Sequence, residues 1–198
     1  MNKQETKIIR WGILGLGHIA HKFSQDLLTV KGAQLHAVAS RSREKAISFA
    51  KEFQVSISYD SYELLVKDPT IDAIYIATPH SFHKEHSILC LQHKKAVLCE
   101  KPFAMNLKEV TKMISVAKEN KTLLMEALWT LFLPHYQYVI NLIKNEVFGK
   151  VLLLEADFGF QSNHSIDSRV LRKELGGGSL LDIGIYPLFI SKFVLGNP

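Results

Sequence analysis

The sequence predicts an α/β protein: a doubly wound parallel sheet, followed by the start of an α+β second domain with an open mixed sheet. Three observations carry this. Short, nearly uninterrupted apolar runs alternate with amphipathic stretches from residue 7 to about residue 128. The glycine-rich turn Gly15-Leu16-Gly17-His18-Ile19-Ala20 falls between the first apolar run and the first amphipathic one. After residue 128 the alternation stops. Strands that are apolar on both sides belong to a sheet covered on both faces. Right-handed crossovers then put ligands at the strand carboxyl ends.

The elements follow in order. Residues 8–14 read as a buried strand, and 18–30 as a helix with Ala20, Phe23, Leu27 and Leu28 on its stripe. A second strand spans 35–40. Ser42 caps a helix running through Phe53, with Ala46, Phe49, Ala50 and Phe53 on its apolar face. A short strand at 56–59 and a short helix at 61–67 end at Pro69. Residues 71–77 form a strongly apolar strand, 81–93 a helix, and 96–99 the fifth strand. Asn106, with Glu109 three residues on, resembles a capping box, and Val110, Met113, Ile114 and Ala117 are that helix's buried stripe. Residues 122–128 are the sixth strand.

Beyond this point Pro134 opens a helix to about Lys144. Gly149-Lys150 turns into a strand over 151–160. Gly176-Gly177-Gly178 precede a helix over 179–195, in which Pro187 predicts an irregularity. The boundary falls at 128. Residues 1–128 read as a dinucleotide-binding domain, and 129–198 as an incomplete substrate and dimerisation domain. One apolar strand cannot make a sheet, so the sequence reads as C-terminally truncated.

The 198 residues suffice for one domain and part of another. The net charge of +5 is scattered, which suits an anionic ligand. No compact basic stretch carries interleaved aromatics, so nucleic acid is not an expected partner. No apolar run reaches the ~20 residues of a membrane span, and no secretion signal is visible. Cys90 and Cys99 read as buried thiols of a reducing cytoplasm.

The residues that carry chemistry sit where such strands end. Gly15 permits a tight turn, and Gly17 lets the backbone approach a pyrophosphate. Ala20 is small enough for helix–strand packing, and the helix start at His18 and Ile19 offers N–H groups to phosphates. This is the Rossmann fingerprint. The second strand ends in Ser40-Arg41-Ser42-Arg43, with no carboxylate until Glu44. Arg41 can clamp a 2′-phosphate and Ser40 can add a hydroxyl, which favours NADP over NAD. Thr78-Pro79-His80-Ser81-Phe82-His83 follows the fourth strand, beside the nicotinamide half of the cleft, with His80 nearest the strand end. His80, His83 and His86 have metal-like spacing, yet no Cys or carboxylate completes a tetrahedral site, so no metal is expected. His86 and His93 read as helix-surface residues.

In Glu100-Lys101-Pro102 the proline restricts the chain and holds Lys101 in place at the edge of the cofactor site. Lys101 can hydrogen-bond a reacting hydroxyl and stabilise a developing alkoxide. Asp182 and Tyr186, four apart on a helix, share a face. Tyr186 is the candidate proton carrier, and Asp182 can orient Lys101 or bind a substrate hydroxyl. The ammonium and the phenol are expected to meet over one nicotinamide ring. Taken singly, these residues also allow plainer readings: Arg41 and Arg43 as solvated loop charges, Lys101 as a surface lysine, and Trp129, Phe158 and Tyr186 as core aromatics.

These segments, with Glu126-Ala127-Leu128-Trp129-Thr130 and the run from Leu175 to Pro187, resemble the glucose–fructose oxidoreductase / inositol dehydrogenase family over essentially the whole chain. Within it they are most similar to the branch of dimeric dihydrodiol dehydrogenase and NADP-dependent D-xylose dehydrogenase. The resemblance implies NADP-linked oxidation of a ring hydroxyl on a sugar, such as an aldopentose, or on a cyclic diol. It assigns Lys101 and Tyr186 to catalysis, and Trp129 and Phe158 to the substrate pocket. It implies a homodimer in a full-length form. Leu131 departs from the branch, which usually has Arg after Trp-Thr, and family members continue well past residue 198. Two rival expectations remain: a non-catalytic NADP-binding module, and a truncated inactive family member.

Overall fold

The computed structural model describes residues 7–161 and 168–197. They divide into two compact units, Met1–Glu126 and Ala127–Pro198.

In the first unit β1 (Ile9–Leu14), β2 (Ala33–Ala39), β3 (Ile57–Tyr59), β4 (Ala73–Ile76), β5 (Ala96–Cys99) and β6 (Leu124–Glu126) make one sheet. Every pairing is parallel, and the order is β3-β2-β1-β4-β5-β6. The helices between them are α1 (His18–Leu27), α2 (Arg43–Glu52), α3 (Tyr62–Lys67), α4 (His83–Gln92) and α5 (Leu107–Asn120). Strand order reverses between β1 and β4, and this opens a crevice at their carboxyl ends.

Strand alternation decides which helix each face meets. Leu14, Ile74, Ile76, Val97 and Cys99 point to one face and pack with Leu65, Leu91, Val116 and Ala117 from α3, α4 and α5. Trp11 and Tyr75 point to the other, where Phe23 of α1 stacks on Tyr75 at 3.7 Å and meets Trp11 edge-on at 5.6 Å. Burying each such side chain is worth about 1.5–3 kcal/mol, and this fixes both layers on the sheet.

Caps form at Ser42 and Asn106 as the sequence signals them, and a third forms at Ser61, which precedes its helix instead of opening it. Ser42 Oγ accepts from Lys45 N–H, Ser61 Oγ from Leu64 N–H, and Asn106 Oδ1 from Glu109 N–H. The Glu109 carboxylate returns to Met105 N–H at 3.2 Å, one residue before the position a standard capping box uses. Element ends differ modestly from expectation. The first helix stops at Leu27 and the chain turns at Gly32, whose φ is +82°. The fourth and sixth strands are shorter than their apolar runs.

The second unit holds a 3₁₀ turn (Trp129–Phe132), α6 (Pro134–Lys144) with Pro134 in its first turn, a 3₁₀ turn (Lys173–Leu175), a π turn (Leu180–Gly184) and α7 (Ile185–Leu195). The strand expected over 151–160 does not form, and with it the open mixed sheet is missing among the described residues. A strand is held by its ladder, and none of the described residues offers this segment a partner. The irregularity expected near Pro187 is the π turn. Proline has no N–H to give the carbonyl four residues back, and its ring crowds that carbonyl, so the regular ladder is broken there. By length and mean hydropathy (1.4) the stretch Lys173–Leu195 could cross a membrane, which the sequence reading did not anticipate. Gly176 and Gly178, at φ +78° and +128°, interrupt it and leave less continuous helix than the ~20 residues a span needs.

Candidate active site

Four loops leave the carboxyl ends of β1, β2, β4 and β5. In the first, Gly15 has φ +92°, and a Cβ there would lie 2.7 Å from Thr78 Cγ2 and 3.0 Å from Thr78 N. Only glycine fits so close to the next loop. A Cβ on Gly17 would meet only Ala77 O, at 4.0 Å, so the backbone there is open to a ligand. Gly17 caps α1 without a side-chain bond, and no acidic residue lies in the first turn, so the N–H groups of His18 and Ile19 begin a helix that carries no competing anion.

After β2, Ser40 Oγ accepts from Ser42 N–H. Glu44, the nearest carboxylate, takes a bond from Ser42 Oγ at 2.8 Å and is held below its ordinary range, first by its own backbone N–H. It is therefore engaged at the start of α2. The Arg41 guanidinium lies 5.9 Å from the centroid of the Phe82 ring. Phe82 stacks on His86, and Tyr62 meets His86 edge-on at 4.9 Å. Arg41 thus stands beside an aromatic wall made by α3, α4 and the 3₁₀ turn His80–Phe82 that precedes α4. Arginine at this place with a hydroxyl next to it, and the nearest carboxylate in sequence already engaged, suits a 2′-phosphate.

The β4 loop corrects the sequence reading of its histidines. His86 is buried, with Nδ1 2.9 Å from Thr78 Oγ1, instead of lying on the helix surface. His83 is buried, with Nδ1 2.9 Å from Pro102 O and Nε2 2.9 Å from Thr78 O. Burial pushes both rings down to about 4, against the two carbonyl bonds at His83. A neutral imidazole has one N–H, so His83 serves one of its two carbonyls at a time. His80 is buried at the loop's start, after Pro79. Among the described residues no group of three His, Cys, Asp or Glu gathers as a metal would require.

The turn after β5 is fastened by side chains from several elements. Glu100 Oε1 accepts from the Tyr75 hydroxyl, and Glu100 Oε2 from Lys101 N–H at 3.2 Å. Pro102 follows Lys101 through a cis peptide bond, and its carbonyl faces His83. Phe103 N–H donates to Glu126 Oε1 at 2.9 Å. Burial pushes the Glu100 carboxyl up from its ordinary range, opposed by Tyr75, Lys101 N–H and the Lys101 charge. Burial also raises Glu126, and the Glu100 charge adds to that.

In the second unit three predicted residues come together. Trp129 Nε1–H donates to Tyr186 Oη at 3.3 Å, and the Phe158 ring meets the Tyr186 ring edge-on at 5.5 Å. Asp182 lies inside the π turn that ends just before α7, so Tyr186 is the second residue of that helix. Lys101 belongs to the first unit and Tyr186, Asp182, Trp129 and Phe158 to the second. The sequence reading gave no role to Glu126 or Phe82, although both stand in segments it singled out, and it missed Tyr75 and Tyr62. His86 could have been flagged as a partner of the β4 loop because it follows His83 by three on one helix side; nothing local signals Glu126.

Residues 9–128 match the GFO/IDH/MocA oxidoreductase family, NAD-binding Rossmann fold, and residues 136–198 match the GFO/IDH/MocA C-terminal domain. The chain is 44% identical over 189 residues to a trans-1,2-dihydrobenzene-1,2-diol dehydrogenase from Danio rerio, covering 94% of this chain and 55% of that protein. It is 38% identical over 191 residues to the enzyme of that name from Homo sapiens, covering 96% and 57%. A 3-ketoreductase from Actinomadura kijaniata, solved with NADP and TDP-benzene, matches with a TM-score of 0.85 at 29% identity, over 96% of this chain and 58% of that one. The chain spans a little over half the length of these relatives.

Proposed function

The chain belongs to the GFO/IDH/MocA oxidoreductase family, and on that premise we propose that it provides the cofactor site and the proton-handling residues of an NADP-dependent dehydrogenase acting on a ring hydroxyl of a cyclic diol or a sugar. The observation that carries this reading is the setting of Tyr186: an indole N–H is aimed at its oxygen and an aromatic ring flanks it.

The cofactor supplies a hydride acceptor when it is bound. The turn at Gly15 and Gly17 receives the pyrophosphate, and Arg41 with Ser40 holds the 2′-phosphate. Thr78, Pro79, His80 and Glu100 line the nicotinamide half, and His83, buried between Thr78 O and Pro102 O, ties two loops of that wall together from behind. Trp129 and Phe158 offer flat apolar surface to the substrate ring. Tyr186 takes the proton of the reacting hydroxyl on its phenolate oxygen, and Trp129 Nε1–H stabilises the negative charge that oxygen carries before the transfer. Lys101 donates to the substrate oxygen while that oxygen gains negative charge. Asp182 orients Lys101 or takes a second substrate hydroxyl. A small-molecule substrate, a homodimer in the full-length setting and a cytoplasmic location complete the reading.

Lys101→Met and Tyr186→Phe are each expected to lower turnover by about 10²-fold or more. NADPH binding, followed by fluorescence titration, is expected to stay unchanged. Turnover equal to the parent in either variant refutes the role given to that residue. A panel of cyclic diols, inositols, aldopentoses and aldohexoses, run with NADP and with NAD, identifies the substrate class. NADPH binding with no turnover across the panel would instead favour a non-catalytic module.

A further inference from the structure

Glu126 is the last residue of β6 and pairs in register with Cys99, the last residue of β5. The chain leaving Cys99 keeps one more bond to β4, from Glu100 N–H to Ile76 O at 3.0 Å, and beyond it the turn is held by other means. Phe103 N–H reaches across 23 residues of sequence to Glu126 Oε1, at 2.9 Å. A half-buried carboxylate is an expensive acceptor for one main-chain N–H, since burial raises it and the neighbouring Glu100 charge raises it further. Cheaper neutral acceptors exist, and a carboxylate bond to an N–H is about twice as strong as a neutral one. The cost falls on the turn that presents Lys101, where stiffness has a use.

We propose that Glu126 is a positioning residue: its carboxylate fixes the Lys101-Pro102-Phe103 turn through Phe103 N–H, and so fixes where Lys101 stands. Glu100, backed by Tyr75, pins the start of this turn at Lys101 N–H, and Glu126 pins its end. Between the two anchors the backbone has little freedom, so the lysine stem starts from one direction. The catalytic consequence rests on the reading of Lys101 as the residue that donates to the reacting oxygen; the anchoring does not.

Residue-resolved amide hydrogen exchange on the full chain tests the anchoring. Phe103 lies outside every helix and strand, yet in the parent its amide is expected to exchange at least about tenfold slower than an unstructured amide. Exchange at the unstructured rate overturns the proposal without any variant. In Glu126→Ala that protection is expected to fall by about tenfold, while Val97 and Met113 in the core keep theirs. Glu126→Gln, which keeps an oxygen acceptor, is expected to restore most of it. Unchanged Phe103 exchange in Glu126→Ala overturns the proposal. Turnover forms the second arm. Glu126→Ala is expected to lower kcat by about tenfold with KM for NADP unchanged, and Glu126→Gln to recover most of it. An equal loss in kcat for the alanine and glutamine variants, or a change confined to KM, overturns the positioning role. A parent that shows the protected amide but turns over no substrate sinks the proposed function and leaves the anchoring standing.

Discussion

Tyr186 must hold negative charge on its oxygen for part of any cycle in which it carries a proton, and one donor is already aimed there. The Trp129 indole N–H lies 3.3 Å from that oxygen. Trp129 is also broad and 60% exposed, so it offers a substrate ring a flat face while its polar edge is committed to the tyrosine. The two roles separate by substitution. Trp129→Phe keeps an aromatic face and removes the N–H. It is expected to lower kcat by about tenfold or more while NADPH affinity stays constant. If kcat is unchanged and only KM for the carbohydrate or diol rises, the indole serves as surface alone and the donor role is wrong. The Phe158 ring contact bears on the other side of the same question, since it holds the Tyr186 ring without touching its oxygen's chemistry.

At the level of elements, α4 makes the strongest statement about pH. Its buried side carries His83 and His86, and burial lowers both to about 4. At His86 the Arg41 charge adds to burial and Glu63 opposes it. An unfolded histidine takes its proton near ~6.5. Between that value and about 4 the unfolded chain therefore binds more protons than the folded one, and stability falls as pH drops through this window. The contribution is complete above the unfolded value. Glu100 and Glu126 act in the opposite sense: their raised carboxyls take up protons at a higher pH in the folded state than in the unfolded one, so they favour folding as pH falls toward the ordinary glutamate range. The histidine effect is therefore read as a difference. His86→Gln is expected to melt with a shallower fall between pH 7 and pH 5 than the parent; identical slopes would show that His86 does not titrate with folding.

Elements also show where the sequence was readable. Ser42 and Asn106 cap helices whose stripes follow them directly, so a local signal sufficed. The loops of the crevice were legible for the same reason: Gly15, Ser40, Thr78 and Lys101 each stand just after an apolar run, and parallel order brings those ends to one edge. Tyr186 was singled out with Asp182 by their shared helix face, and Trp129 and Phe158 by resemblance; helical or strand periodicity alone had no means of joining the three. Glu126 was illegible, because its bond to Phe103 N–H depends on β5–β6 register and not on any neighbour in sequence. His86 was misjudged since its helix is apolar on more than one side, and a histidine there looks solvated. The segment 151–160 reads as a strand by composition, but strand formation is a property of pairs.

Across the whole molecule, burial is unevenly shared. Among the described residues the buried apolar side chains lie almost entirely in the first unit; the second contributes Leu128 and Ile140. Phe148, Leu152 and Leu153 are 81%, 88% and 75% exposed, and they flank or occupy the segment that lacks ladder partners. Local opening is cheapest where few apolar contacts and few backbone bonds must be broken. Trypsin is therefore expected to cut first at Lys144 or Lys150, with a fragment containing the whole sheet of the first unit persisting well after the second unit is lost. If the Gly15 turn and Arg41 bind the dinucleotide as proposed, saturating NADPH slows decay of that fragment further, because a ligand that binds only the folded form stabilises it by mass action. Mass spectrometry of the time course reads both effects. First cuts at Lys45, Lys67 or Lys112, inside the sheet unit, would contradict this distribution of stability. A sheet fragment whose lifetime ignores NADPH would contradict the placement of the cofactor within that unit.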